Sequence, residues 1–401
     1  MIRLSKNSIV EHENTVLMCN QLKALVEEGH IYANNGMPPL LVENDPKDDT
    51  KRTQVQPASI DLRLGPEAWE VDCDFTLKPG ETMEQALKHI HAKPVQTENH
   101  ILEPSLNGKK QTYLIVKLQE GFDLPAPLWG EESTKSFAGR LDLDITGMLD
   151  RYFESHPFNT LPPGYRGGVY VLMRSNSWRI QLNVGKPVIQ IRMNIGDPLI
   201  PDEQLKKNYS KHPLLCQYKN NKTTPIEQGH VKFSDGLILS TDLERDIIAY
   251  TAKPSEDIIA IGKKKEYHPK DFHNIQRKPK QEEDYIAPQD VFHIMCTYEW
   301  QNVPRDQCAD LKRTANEISI DAVNNYAGFS DPGFARPLTL EARFRRPTRL
   351  YHRTPIARDV HLQLHDTVPP ELAYGGQKLQ SHFSQQPGIA LSYVFKDEVE
   401  W

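Results

Sequence analysis

Tyr326-Ala-Gly-Phe-Ser-Asp-Pro-Gly-Phe334, continued by Ala335-Arg-Pro-Leu-Thr-Leu-Glu-Ala-Arg343, is a tight turn feeding a strand. In Asp331-Pro332-Gly333, proline presets φ and glycine accepts a positive one. Beyond it Leu338, Leu340 and Ala342 alternate with Thr339, Glu341 and Arg343, the period of a half-buried strand. Alternation places Thr339, Glu341 and Arg343 on one face. A carboxylate and a guanidinium beside a glycine turn fit a polar site. The same letters also fit a surface hairpin with a solvated Glu341.

Outward from this stretch, the totals narrow the class. A chain of 401 residues exceeds one ordinary core, which predicts two domains. Its 30 prolines and 22 glycines favour many short strands and turns over long helices. A net charge of −6 argues against nucleic-acid binding by bulk electrostatics, so any polyanion must meet a local basic cluster. The five cysteines (Cys19, Cys73, Cys216, Cys296, Cys308) are scattered and lack Cys-x-x-Cys spacing. Neither a disulfide framework nor a structural zinc site is expected. The histidines of His89–His100 match no metal-ligand spacing and read as solvated loop residues. No basic start leads into an apolar run and no stretch is long enough to span a bilayer, so the expected setting is the cytoplasm, without membrane contact.

In chain order, residues 15–30 carry helical spacing ending at Gly29. Gln56-Pro-Ala-Ser-Ile-Asp-Leu-Arg-Leu-Gly65 reads as a strand with Asp61 and Arg63 on a polar face. A short helix is expected around Thr82–His91, then a buried strand at Tyr113–Leu118. Ser133-Thr-Lys-Ser-Phe-Ala-Gly-Arg140 offers hydroxyls, cations and small residues suited to phosphate oxygens, and equally suits an ordinary polar turn. Strands follow at 168–173, 178–182 and 187–192. Residues 200–230 are polar and basic, and the Lys-rich 263–284 stretch reads as a solvated face.

Two segments repeat one order of features. Tyr113-Leu-Ile-Val, Phe122-Asp-Leu-Pro125 and Pro163-Gly-Tyr165 are matched by Phe292-His-Ile-Met, Trp300-Gln-Asn-Val-Pro304 and Pro332-Gly-Phe334. Two copies of one β unit are therefore expected: residues 1–200, a linker or insertion at 201–240, and residues 241–401. Counted from the Pro-Gly turn, Glu341 of the second copy corresponds to Leu172 of the first. The cluster Lys135, Ser136, Gly139, Arg140 has a partial echo in Lys312-Arg-Thr-Ala315. If carboxylate and cation loop serve one site, that site is composite.

These motifs resemble the dCTP deaminase branch of the dUTPase-like superfamily, in its double-length bacterial form. The likeness is carried by Gln56–Gly65, Lys135-Ser-Phe-Ala-Gly-Arg-Leu-Asp142, Gly185 to Gln190, Ala327–Phe334 with Glu341, and the tail Tyr374-Gly-Gly … Gln377-Lys-Leu-Gln-Ser-His-Phe383. It implies a mainly β fold: two tandem distorted jelly-roll (β-clip) domains with a few short helices. It also implies zinc-independent hydrolysis of dCTP to dUTP and ammonia, in the synthesis of pyrimidine deoxynucleotides. Glu341 matches the family's general base and acid, and Ser136 and Arg140 match the residues that hold water and polarise the pyrimidine. Lys135 matches a triphosphate cation, Ala327 and Gly328 the wall near the base, and Asp331 the turn aspartate near the sugar; Gln190 falls among the substrate-binding positions. Magnesium is expected to ride on the triphosphate rather than in a protein cage, and a homo-oligomer, trimer or higher, is implied. Phe137 departs from the pattern where a second hydroxyl is usual. Ala327–Asp331 also resembles a dUTP pyrophosphatase motif, which leaves that activity, alone or added, as an alternative. A non-catalytic nucleotide-binding β-protein is the third.

Overall fold

The computed structural model describes residues 14–44, 52–105, 110–154, 159–219, 222–278, 280, 284–313, 322–324, 327–377 and 388–398. Thr314, Ala315, Tyr326 and the 378–383 part of the tail motif lie outside the described residues.

The chain forms two compact units. The first takes Met1–Asp197, Pro254–Tyr267 and Val394–Asp397; the second takes Pro198–Lys253, His268–Tyr393 and Glu398–Trp401. Both are built mainly of curled β-sheet, with four short α-helices among the described residues. Residues 201–240, read from sequence as a linker or insertion, hold helix Asp202–Tyr209 and strands Leu215–Lys219, Lys222–Pro225 and Leu237–Ser240, all in the second unit.

In the first unit one ten-stranded sheet runs Leu143–Leu149, Arg166–Ser175, Tyr113–Asp123, Ile60–Val71, Pro187–Ile195, Trp129–Thr134, Thr160–Leu161, with three short strands paired at its sides. The expected 15–30 helix is shorter, Cys19–Glu27, because Thr15 and Val16 pair as a strand with Ile195 and Asn194. The 82–91 helix runs Met83–His89, where the Thr82 hydroxyl accepts from Gln85 N and the Gln85 side chain accepts from Thr82 N, closing both ends of a capping box. Its Met83 and Leu87 pack with Ile115, Tyr170 and Leu172.

In the second unit, strands Lys222–Pro225, Leu215–Lys219, Phe292–Gln301, Ile247–Ala252 and His273–Arg277 form a sheet that Pro337–Phe344 joins through Phe292–Gln301. A four-stranded sheet of Leu237–Ser240, Pro355–Gln363, Gln307–Arg313 and Phe329–Ser330 lies in the same unit. Leu237, Leu239, Leu311, Leu340 and Phe344 share its core.

Strand register supports the repeat. Leu172 pairs with Ile115 and Glu341 with Ile294, each isoleucine two residues into its strand. A buried carboxylate recurs at the same offset. Glu120 accepts from Arg63 N at 2.7 Å, and Glu299 accepts from Ser240 N at 2.7 Å. The two expected half-buried strands are covered on both faces, with Asp61, Arg63, Thr339 and Glu341 all under 10 % exposed. Internal partners make this tolerable. Arg63 Nε donates to Glu120 Oε1 at 2.7 Å, and Lys135 Nζ donates to Asp61 Oδ1 at 2.7 Å.

Candidate active-site clusters

In the first unit, strand Trp129–Thr134 ends where Lys135 turns into the one-turn helix Ser136–Gly139. Lys135 N donates to Val188 O at 2.9 Å, and Arg140 N to Ser136 O at 3.1 Å, which locks the loop against strand Pro187–Ile195. Gln190 of that strand pairs with Asp61 on one side and Ser133 on the other, so the three stand in a row across the sheet. Lys135 Nζ reaches over it, donating to Asp61 Oδ1 (2.7 Å) and Gln190 Oε1 (3.3 Å); Ser59 Oγ also donates to Gln190 Oε1 (3.2 Å). The structure thus gathers Lys135, Ser136, Arg140 and Gln190. Arg140 is buried, at 7 % exposure.

Two residues given no role in the sequence reading belong here. Asp61 was visible only as a polar letter in a strand; burial pushes its carboxyl up, and Lys135 and then Lys186 pull it back. Lys186, in the Gly-Lys-Pro turn before strand Pro187–Ile195, is pushed down to about 8, first by burial and then by the charges of Lys264 and Arg52. Its ammonium lies 5.2 Å from the ring centre of Phe137. Phe137, at 6 % exposure, therefore supplies an apolar and π face where a hydroxyl was expected.

In the second unit, the Asp331-Pro332-Gly333-Phe334 turn closes with Phe334 N donating to Asp331 O at 3.1 Å, and Gly333 holds φ at 85°. Proline followed by a positive-φ glycine is the type II arrangement. Glu341 is 1 % exposed, and its Oε2 accepts from Ala327 N at 3.4 Å. Gly328 is required by backbone proximity: Leu311 N donates to Gly328 O at 2.9 Å, and a Cβ would sit 2.8 Å from Leu311 O. Ala327, Gly328 and Glu341 are thus brought together, with Asp331 at the adjoining turn. Tyr374 of the tail motif docks on that turn, its N donating to Pro332 O at 2.9 Å and its ring 5.0 Å from Phe334. The surface-hairpin reading of Glu341 does not hold, since its strand is paired on both sides, with Phe292–Gln301 and Ala322–Asn324.

Chemically, the second cluster offers a carboxyl withdrawn from bulk water and beside a backbone donor, suited to proton transfer. The first offers cations, hydroxyls and amides suited to phosphate oxygens. Among the described residues no group of three or more His, Cys, Asp or Glu could hold a metal ion.

Comparison with known proteins accounts for both halves of the chain. Residues 13–197 match the model of the 2'-deoxycytidine 5'-triphosphate deaminase N-terminal domain, and residues 202–395 that of its C-terminal domain. A solved structure, 2'-deoxycytidine 5'-triphosphate deaminase from Agrobacterium tumefaciens, superposes with a TM-score of 0.74 at 25 % identity, covering 89 % of this chain and 100 % of that one. No curated protein matched. With both halves accounted for by its two domain models, the chain belongs to the 2'-deoxycytidine 5'-triphosphate deaminase family.

Proposed function

We propose that the protein hydrolyses the 4-amino group of dCTP, giving dUTP and ammonia. The observation that carries the reading is Glu341, buried beside the Ala327 N–H at the register position that Leu172 fills in the first unit. Water adds at C4 of the cytosine while Glu341 takes one of its protons. The carboxyl then hands that proton to the departing amine, the second water proton ends on N3, and the oxygen remains as the 4-oxo group. A carboxyl shielded from solvent holds the proton between the two transfers more readily than an exposed one.

Lys135 and Gln190 take the phosphate end, Ser136 and Arg140 the water and pyrimidine, and Asp331 the sugar. Magnesium accompanies the triphosphate. The protein works as a homo-oligomer, trimer or larger, in the cytoplasm.

The test is purified protein with dCTP and magnesium, followed by chromatography of nucleotides and an ammonia assay, beside a Glu341→Gln variant. Stoichiometric dUTP and ammonia, lost in the variant, is the expected result. Release of dUMP and pyrophosphate from dUTP, retained by Glu341→Gln, would point instead to a pyrophosphatase. Absence of any reaction would leave a nucleotide-binding protein.

A further inference from the structure

Asp142 ends the Lys135–Asp142 motif without a task of its own in the reading above. Its φ is 53°, in the left-handed region that glycine enters freely and other residues rarely. Its side chain is buried, at 0 % exposure. Asp142 stands where the chain leaves the one-turn helix Ser136–Gly139 and starts strand Leu143–Leu149. Leading into it, Arg140 N donates to Ser136 O at 3.1 Å, Leu141 N to Ala138 O at 3.0 Å and Asp142 N to Gly139 O at 2.9 Å. A left-handed residue is a common way to end such a turn. Any other conformation at 142 would redirect the chain here, and with it Arg140 two residues earlier.

Asp142 faces the turn that follows the neighbouring strand. Leu143 pairs with Ser175, so the ladder stops level with that turn. Ser177 Oγ donates to Asp142 Oδ2 at 2.5 Å, and Asn176 N donates to Asp142 O at 3.2 Å. A hydroxyl this close to a carboxyl oxygen makes one of the stronger hydrogen bonds. The turn is itself anchored, since Trp178 is 0 % exposed and its carbonyl oxygen accepts from Ser175 Oγ at 2.5 Å. Aspartate enters the left-handed region more readily than most residues because its short polar side chain can be tied down. Here the tie comes from Ser177, 35 residues further along the chain. The other end of the loop is held separately, by Lys135 N on Val188 O and Lys135 Nζ on Asp61. We propose that Ser177 is a positioning residue: by clamping Asp142 in its left-handed conformation it sets the exit of the Lys135–Arg140 loop and so the direction of Arg140. The clamp rests on the deaminase reading only for what Arg140 does to the pyrimidine.

The experiment pairs hydrogen exchange of the Arg140, Leu141 and Asp142 amides with steady-state dCTP kinetics, in the full chain. Wild type, Ser177→Ala, Ser177→Ala with Asp142→Gly, and Ser175→Ala are compared. Ser177→Ala should speed exchange of the three amides on the order of tenfold and lower kcat by a similar factor. KM should change less, because Lys135 keeps its own anchors. The double variant should recover most of both losses, since glycine holds the left-handed conformation without a clamp. Ser175→Ala, which loses a buried hydroxyl bond in the same turn, should lower the melting temperature and leave kcat and the three amides as in wild type. Wild-type exchange in Ser177→Ala, a double variant no better than the single one, or equal loss in Ser175→Ala overturns the proposal. If Ser177→Ala does not fold, Asp142→Asn and Asp142→Ala replace it. Asparagine tolerates the left-handed region and keeps an acceptor oxygen, whereas alanine does neither, so equal exchange in the two also overturns the clamp. Exchange that follows the clamp in a protein that leaves dCTP intact would uphold it and sink the deaminase reading. Deamination indifferent to Ser177, with unchanged exchange, would do the reverse.

Discussion

Glu341 and Leu172 hold the same place in their respective sheets, each opposite an isoleucine two residues into the paired strand. One position is polar and the other apolar because their surroundings differ. Leu172 is packed with Ile115, Tyr170 and the helix residues Met83 and Leu87, whereas Glu341 meets the Ala327 N–H. Glu341→Gln keeps the shape and removes the proton carrier. Its dCTP turnover should fall on the order of 10²–10⁴-fold, with a melting temperature close to that of wild type. Leu172→Glu should gain no activity and should cost about 3 kcal/mol in urea unfolding, because nothing in that apolar cluster receives a carboxylate.

The second pair of equivalent residues, Glu120 and Glu299, predicts unequal losses. Glu120 accepts from Arg63 N and Arg63 Nε, and from Gln54 Nε2 at 3.0 Å; Glu299 accepts from the neutral Ser240 N and Oγ. Glu120→Gln strands the Arg63 guanidinium, which is left chiefly with Pro38 O at 2.8 Å. Breaking a buried ion pair costs about 3–5 kcal/mol, while removing a charged acceptor from neutral donors costs about 1–3 kcal/mol. Urea midpoints should rank wild type above Glu299→Gln, and Glu299→Gln above Glu120→Gln.

Gly328 gives a backbone test. Its Cβ would come 2.8 Å from the Leu311 carbonyl oxygen, which belongs to a paired strand and has little room to yield. Gly328→Ala should destabilise by about 1–3 kcal/mol. It should also lower turnover more than stability alone accounts for, by shifting the adjoining Ala327 N–H off Glu341. Activity measured well below the melting transition separates the two effects.

Two groups with shifted titration give opposite pH signatures. Burial pushes the Glu132 carboxyl from 4.5 up to about 8. The native state then holds this proton more tightly than the unfolded chain does. The stability it contributes is complete below pH 4.5 and is lost as pH rises through about 8. Lys186, pushed from 10.5 down to about 8, releases its proton earlier in the native state, so stability climbs between about pH 8 and 10.5. In melting scans against pH, Glu132→Gln should flatten the fall between pH 5 and 8, and Lys186→Met should flatten the climb above pH 8. A wild-type slope kept by either variant would assign that slope elsewhere.

How far the sequence reached follows from the range of the interactions involved. The Asp331–Gly333 turn, the 337–344 strand and the helix after Thr82 rest on neighbours a few residues apart, and local pattern reveals those. The full burial of Asp61 and Arg63 depends on Lys135 and Glu120, distant in the chain, so alternation alone gave those side chains to solvent. Lys186 sits in a Gly-Lys-Pro turn whose letters carry no sign of the Phe137 ring, distant in the chain, that its ammonium approaches to 5.2 Å. Residues 201–240 looked like a connector because their lysines are many. The apolar residues that place helix Asp202–Tyr209 in a core are few: Leu205 and Tyr209, each under 4 % exposed.

The first unit's borrowed pieces bear on how the protein is made. Trp178 packs edge-on to Phe395, 6.4 Å between ring centres, and Glu266 N donates to Val394 O at 2.9 Å. A ribosome that has just released Asp197 has therefore not yet supplied everything that seals this unit. Its final closure waits until nearly two hundred further amino acids have emerged, so the amino-terminal half must ripen alongside its sibling instead of ahead of it. Splitting the gene at the repeat boundary would yield a front fragment with an uncovered tryptophan and a tendency to clump.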